Sequence, residues 1–316
     1  MKSVSRAVAY PGLPVIFAEG YRDAKRRSSW HSHASLALTD TFDRMRTETV
    51  AEPLGEGISL TINGKSPSDQ RSQATRALID EIRGLAAVRT GLKITSENHE
   101  IVTGSSDSGA AALVLAINDL LEINLSQEMM VKLAHKSSET AYRSIIGGLS
   151  ECIVAGDRIT AKRLAKPSFF DDMLILGIPY DLPRHSADDL HRRVVSHPHY
   201  CERTNEVMRR LGELSRIVEE KDLIGFMQLM EADARTVHTM FSEIGLQVIK
   251  PKMKEATDLV EGMREDGIQA YWNVAGGSQV YVFTLKKYGK DVTRRLKDKD
   301  LRYRNYKVAD GAKIIG

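Results

Sequence analysis

The twenty residues from Ile101 to Leu120, IVTGSSDSGAAALVLAINDL, constrain the fold more than any other stretch of the chain. An apolar β-like pair runs through glycine and hydroxyl residues into an alanine-rich helix, so a strand, a tight loop and a helix must follow one another directly. Gly104 and Gly109 permit sharp backbone turns, while Ser105, Ser106 and Ser108 place hydroxyls beside the amides of a helix N-terminus. The glycine spacing matches a Walker loop, but Ala110 and Ala111 stand where lysine and a hydroxyl residue are required, which excludes that motif. Two readings stay open: a phosphate site, in which Asp107 needs a metal or an arginine beside it, and a Ser/Asp helix cap.

A chain of 316 residues with 42% hydrophobic content can build one large domain or two lobes around a substantial core. Its 45 basic and 42 acidic residues give a net charge of +3 without long single-sign blocks, which lends little support to nucleic-acid or membrane-surface binding. The basic tail KKYGKDVTRRLKDKDLRYRNYK reads as a solvated helix face. No apolar run approaches a membrane span, and MKSVSRAVAYPGLPVIF lacks a signal-peptide core before its prolines, so a cytoplasmic location is expected. Cys152 and Cys201 stand far apart, which suits a reducing compartment and supplies neither a disulfide framework nor a zinc motif.

The pattern along the chain predicts two differently built halves. Up to about Leu125 short strands (PVIFAEG, SLALTDTFDRMRTETV, GISLTING) precede the helix SQATRALIDEIRGLAA, the strand LKITSEN and the glycine-serine loop with its helix. Ser126 opens another helical stretch, and HKSSETAYRSIIGGL reads as a serine-rich break, a short helix and a stop at Gly147 and Gly148. After the strand DMLILGIPYD come long amphipathic helices near His199 to Glu220, Asp222 to Ile244 and Lys250 to Asp266. A hairpin around YWNVAGGSQVYVFTL and a final strand in RNYKVADGAKI complete the chain. The expected division is a mixed α/β lobe over residues 1–179 and a second lobe over 180–316, without internal repeats.

Several polar constellations could carry chemistry. Glu139 and Arg143 lie four apart and would share a helix face, either as an ion pair or as a carboxylate near a substrate hydroxyl and a guanidinium binding an anion. AGGS at Ala275 to Ser278 is a hairpin turn or a backbone wall against a ligand. His31 with His33, and His197 with His199, lack a nearby third ligand and are assigned to polar surface or substrate-lining roles. Arg184, Asp188 and His191 in RHSADDLH could cap a helix of the second lobe or present an arginine to a cleft.

Taken in order, these segments resemble the GHMP superfamily of small-molecule kinases, in the branch that contains the mevalonate diphosphate decarboxylases. INGKSPSDQRSQATRALIDEIR is similar to that branch's Asn-Gly segment with its arginine and helix, and TGSSDSGAAALVLAI occupies the phosphate-loop position. SSETAYRSIIGGL resembles its Ser-Ala-x-Arg-Ser-x-x-Gly-Gly segment, MEADARTVHTMF its helix with spaced Asp and His, and YWNVAGGSQVYV its Phe-Asp-Ala-Gly-Pro-Asn turn. Five segments in order make the resemblance specific to the branch and cover most of the chain.

Two departures shape the activity that this resemblance implies. IFAEGYRD puts Phe17 where the decarboxylases carry a lysine, and Val274 stands where their late turn carries an aspartate. Both groups are associated with the step in which phosphate leaves and carbon dioxide follows. The pattern is similar to that of the archaeal 3-kinases of the branch, which implies ATP-dependent phosphorylation of the 3-hydroxyl of mevalonate without decarboxylation, in an archaeal-type route to isoprenoids. The alternatives are a decarboxylase of a phosphorylated mevalonate and a non-catalytic nucleotide-binding homologue.

The implied fold is a two-lobe α+β GHMP kinase, with an N-terminal lobe like the second domain of ribosomal protein S5 and a ferredoxin-like C-terminal lobe. Residue by residue, the resemblance places Gly104, Ser105, Ser106, Asp107 and Ser108 around the ATP phosphates, with Asp107 and Ser108 toward Mg2+. It makes Arg143 the grip on the mevalonate carboxylate and Glu139 the neighbour of the 3-hydroxyl, and it adds Arg184 and Arg71 to the substrate site. His31, Arg71 and the basic segment 184–193 are the candidates for a 5-phosphate. The expected partners are a small-molecule substrate and a second copy of the chain in a homodimer.

Overall fold

The computed structural model describes the backbone of residues 1–67 and 70–316 and the side chains of residues 1–67 and 73–316. The chain opens with β1 (Ser5–Ala9), β2 (Gly12–Ile16) and a small hairpin of β3 (Tyr21–Asp23) and β4 (Ser28–Ser29). Next come β5 (His33–Asp40), β6 (Arg46–Leu54), β7 (Ile58–Ile62), α1 (Gln70–Leu85), β8 (Gly91–His99) and α2 (Ser105–Leu121). α3 (Gln127–His135) and α4 (Tyr142–Ile146) precede a hairpin of β9 (Leu149–Ala155) and β10 (Arg158–Ala165), then β11 (Met173–Pro179). A helical stretch follows with α5 (Ala187–Val194), α6 (Tyr200–Glu220), α7 (Leu223–Glu243) and α8 (Pro251–Glu265). The chain closes with β12 (Ala270–Asn273), β13 (Gln279–Leu285), α9 (Gly289–Asp298), β14 (Arg304–Val308) and β15 (Lys313–Ile314).

Among the described residues, one sheet has five strands in the order β15-β1-β6-β8-β7, with β7 parallel to β8 through the α1 crossover. α2 packs across β1 and β6. It can approach closely because Ala110, Ala111, Ala112 and Ala116 meet Ala7, Ala9 and Ala51, all buried. A second sheet of eight strands among the described residues runs β10-β9-β5-β14-β11-β13-β12, with β2 on β5. α6 and α7 close a core over it through Val207, Leu211, Leu214, Phe226 and Met230 against Leu36, Ile175 and Phe283. Burial of these side chains is the main driving force for folding.

The fold is the two-lobe α+β architecture of the GHMP kinases, and its lobes are stitched together rather than strung on a linker. β11 pairs with β13 and β14, so it joins the sheet of the second half although it precedes residue 180. β14 bonds β5, and β15 returns to β1. The hairpin β9–β10 has no counterpart among the expected strands, because β9 opens with a run of buried residues and β10 is largely half-buried, so neither shows the alternation of a strand. His31 and His33 correct the assignment to polar surface: both are buried, and the His33 ring lies 5.2 Å from that of Tyr142. His197 is buried beside Glu243 at 2.6 Å, and only His199 of that pair is exposed.

Candidate active site

A cleft of about 710 Å3 opens where the loop 101–104, the β3–β4 hairpin, α5 and the β12–β13 turn converge. Lys25, Arg27, Lys136, Arg184 and Arg192 line it, against Asp188 as the carboxylate among the described lining residues. Such a lining suits a polyanion. A second cavity of about 310 Å3 shares Ser105, Ser106 and Ser137 with the first and is walled by Leu60, Ile62, Ile94 and Leu113, which suits a flat apolar group such as a base.

Gly104 explains the glycine of the loop. It is the N-cap of α2 with φ 82°, and a Cβ there would stand 3.0 Å from Pro11 Cβ and 3.1 Å from the Gly12 amide nitrogen. No described side chain caps α2, which removes the Ser/Asp cap reading, and Ser105 and Ser106 line the cleft at this open helix end.

Asp107 and Ser108 depart from their expected places on phosphate and metal. Asp107 is buried, and its carboxylate accepts from Ser138 Oγ at 2.6 Å, Thr140 Oγ1 at 2.7 Å, Arg143 Nε at 2.9 Å and Arg143 Nη2. Ser108 is buried against Thr47 Oγ1 at 2.7 Å. The helix turn carries both inward, away from Ser105 and Ser106, so neither fits as a ligand of Mg2+ in this arrangement. No cluster of three or more His, Cys, Asp or Glu side chains able to hold a metal is present among the described residues.

Arg143 is consumed by the same arrangement. Besides Asp107 it donates to Ser35 Oγ at 3.2 Å, and it lies over Gly12, where an added Cβ would come within 2.0 Å of Arg143 Nε. These bonds tie α4 to the glycine-serine loop. Glu139 and Arg143 do not pair, because Glu139 precedes α4 and i,i+4 geometry needs both residues in the helix.

Glu139 has other partners. Arg27 Nε donates to its Oε2 at 2.7 Å, and His191 Nε2 stands 3.4 Å from its Oε1. Burial pushes this carboxyl up, but His191 and Arg27 outweigh that and hold it at about 2, so it is ionised at neutral pH. Arg27 Nη2 also donates to Tyr21 OH at 2.6 Å and to Asp188 Oδ1 at 2.9 Å, and Tyr21 OH donates to Asp188 Oδ1 at 3.0 Å. Arg27 and Tyr21 carried no signal in the sequence, since an arginine in a run of basic residues looks solvated. Asp188 and His191 stood out only as a helix cap, yet Ser186 caps α5 by accepting from the Asp189 amide.

Arg184 lines the cleft and donates to Ser278 Oγ at 2.6 Å, tying the 275–278 turn to the loop 101–104 through the Val102 carbonyl. The AGGS segment is thus both a hairpin turn and a wall, with Gly276 in the lining. The side chain of Arg71 lies outside the described residues. Elsewhere the side chains of Phe17, His238 and Val274 form an uncharged group, beside the buried Asp233 that accepts from the Phe17 amide at 2.9 Å. Val274 is fully buried, the Phe17 and His238 rings meet edge to face at 5.7 Å, and His238 Nε2 lies 2.6 Å from the Val274 carbonyl oxygen. Burial pushes His238 down to about 4 and leaves it neutral.

An open helix end, a basic cleft and a two-lobe α+β frame define a small-molecule kinase of the GHMP type. Residues 9–161 match the diphosphomevalonate decarboxylase-like N-terminal domain, and residues 185–290 match the mevalonate-3-kinase C-terminal domain. A mevalonate-3-kinase of Picrophilus torridus is 28% identical over 97% of this chain and 96% of its own length, and one of Thermoplasma acidophilum is 27% identical over 87% and 86%. The structure of the Thermoplasma acidophilum enzyme with mevalonate 3-phosphate and ADP has the same fold, with a TM-score of 0.91, 22% identity and coverage of 100% and 99%. The chain belongs to the mevalonate-3-kinase family, within the diphosphomevalonate decarboxylase-like branch of the GHMP kinases.

Proposed function

We propose that this chain transfers the γ-phosphoryl group of ATP to the 3-hydroxyl of mevalonate, forming mevalonate 3-phosphate and ADP without loss of carbon dioxide. The observation that carries this reading is the contrast between the ionised Glu139, held by the cleft-lining Arg27, and the uncharged side chains of Phe17, His238 and Val274. Phosphoryl transfer asks for positioning and charge neutralisation, which the cleft cations and the open end of α2 supply. Elimination asks for charged groups at the departing phosphate and carboxylate; the side chains of Phe17 and Val274 carry none, and Asp233, which accepts from the Phe17 amide at 2.9 Å, is already engaged by Arg203 and Arg210.

In this reading Gly104, Ser105 and Ser106 receive the ATP phosphates, the apolar second cavity receives the base, and Arg184 holds the substrate carboxylate. Glu139 accepts from a substrate hydroxyl that reaches past Arg27. Mg2+ arrives with ATP rather than on Asp107. Ionised Glu139 also disfavours a second phosphate at this corner, which supports mevalonate over its 5-phosphate as substrate. The division near residue 180 is functional: the first part brings the phosphate loop and Glu139, the second brings Arg184 and α5. No helix among the described residues is long and apolar enough to cross a membrane. A cytoplasmic enzyme acting as a homodimer is consistent with this reading, and light scattering reads the oligomer directly.

The test is a phosphorus NMR assay with ATP, Mg2+ and mevalonate beside a carbon dioxide trap. A new tertiary phosphomonoester with no carbon dioxide is expected. Carbon dioxide release overturns the reading in favour of a decarboxylase, and the absence of turnover moves it to a phosphorylated substrate or a non-catalytic binder.

A further inference from the structure

We propose that His191 of α5 is a positioning residue for Glu139, with a ring tautomer dictated by the backbone of Gly20, so that the substrate corner is complete only when the two halves of the chain meet on it. This rests on the reading that Glu139 receives a substrate hydroxyl. The Gly20 amide donates to His191 Nδ1 at 3.1 Å, and a backbone N–H can only donate, so Nδ1 carries no proton. The ring proton therefore sits on Nε2, the atom that stands 3.4 Å from Glu139 Oε1. A second proton on the ring would set two donors against each other at Gly20.

The donor itself is locked. Gly20 has φ 98°, and a Cβ there would fall 1.8 Å from the Tyr200 hydroxyl, which in turn donates to the Glu19 carbonyl at 2.8 Å. The imidazole also stacks on Tyr21, with centroids 4.5 Å apart and planes 14° apart. The ring is held on its edge and its face, with Nε2 turned to the side of Glu139 and 3.4 Å from its Oε1, longer than a well-formed hydrogen bond. Arg27 holds the other oxygen, Asp188 anchors Arg27, and His135 Nδ1 lies 3.1 Å from the Glu139 carbonyl. Arg27 comes from the hairpin and His191 from α5, so each half of the chain supplies one clamp on Glu139.

Two amide variants separate the ring's two nitrogens. In H191N the amide oxygen can replace Nδ1 as acceptor for Gly20 but does not reach Glu139, whereas in H191Q the longer amide can place an N–H where Nε2 was. The expected result is that H191Q keeps kcat/KM for mevalonate within about threefold of the parent, while H191N loses about tenfold or more, mainly through a raised KM for mevalonate. KM for ATP should stay unchanged in both. Equal kcat/KM values in the two variants overturn the proposal. Heteronuclear NMR of the histidine ring nitrogens in the parent protein needs neither variant to fold: a proton on Nε2 is expected, and a proton on Nδ1 overturns the tautomer and the proposal with it. A parent that does not turn over mevalonate defeats the proposed function instead, and the ring spectra remain separately readable.

Discussion

The Glu139 corner and the Phe17–Val274 corner are both withdrawn from water, yet the first presents a charged side chain and the second the uncharged side chains of Phe17, His238 and Val274, with the nearby Asp233 turned onto Arg203 and the Phe17 amide. At the first, a carboxylate with 4% exposure survives because Arg27 donates to one oxygen and His191 Nε2 stands 3.4 Å from the other. At the second, Val274 is fully buried and His238, close enough to charge if it were wet, is kept neutral. A buried charge is tolerated only with partners in place, so the two corners cannot be exchanged by single substitutions. The difference also divides the chemistry: the charged corner can orient a hydroxyl, and the dry one offers nothing to a departing anion.

The sharpest way to break this comparison is Glu139→Ala. If the charged corner orients the substrate, kcat/KM for mevalonate should fall by about a hundredfold or more, measured by coupled ADP release. Turnover close to the parent would remove Glu139 from the site. Next in size is Arg143→Ala, which strands the Asp107 carboxylate among Ser138 and Thr140. A loss of roughly 3–5 kcal/mol in denaturant unfolding is expected. Combining it with Asp107→Asn should recover part of that loss, and a simple sum of the two single losses would show that Arg143 works independently of Asp107.

Val274→Asp attacks the dry corner. A carboxylate there meets Phe17 rather than a lysine, so a destabilisation of about 2–3 kcal/mol and no carbon dioxide release are expected. Carbon dioxide in the trap would show that the dry corner alone had been holding elimination back. The smallest effect concerns acid. His238 is lowered by burial to about 4 and His33 to about 3, below the ordinary 6.5. The unfolded chain therefore binds protons first, so stability is complete above pH 6.5 and falls as pH drops toward 4 and below. Glu139 works in the opposite window, contributing stability above its ordinary 4.5 that is lost only as pH falls toward 2. An unfolding free energy flat between pH 7 and 5 would contradict the neutral state of both histidines.

Much of the site was legible as positions and little of it as contacts. The glycine-serine loop and the AGGS turn were marked by glycine and by a hydroxyl cluster, local signals that survive without tertiary information, whereas Arg184 was marked by the family resemblance. Arg143 and Glu139 were marked too, but their protein partners were not legible: the ion pair that a four-residue spacing allows does not form, because α4 starts at Tyr142, and Asp107 and Arg27 take its place. Arg27 was invisible because its partners, Glu139 and Asp188, lie 112 and 161 residues away.

The amino-acid sequence by itself determined the turn at Gly104, the long amphipathic helices and most strands outside the β9–β10 hairpin, because periodicity and backbone freedom are local properties, and the family resemblance marked Phe17 and Val274 as uncharged departures. The tertiary structure alone decided that Asp107 faces Arg143 rather than a metal, that His191 reaches Glu139, and that β11, β14 and β15 bind the two lobes into shared sheets. The reason is physical: a buried polar group takes whichever partner packing brings within 3 Å or so of it, and sequence separation has no part in that choice.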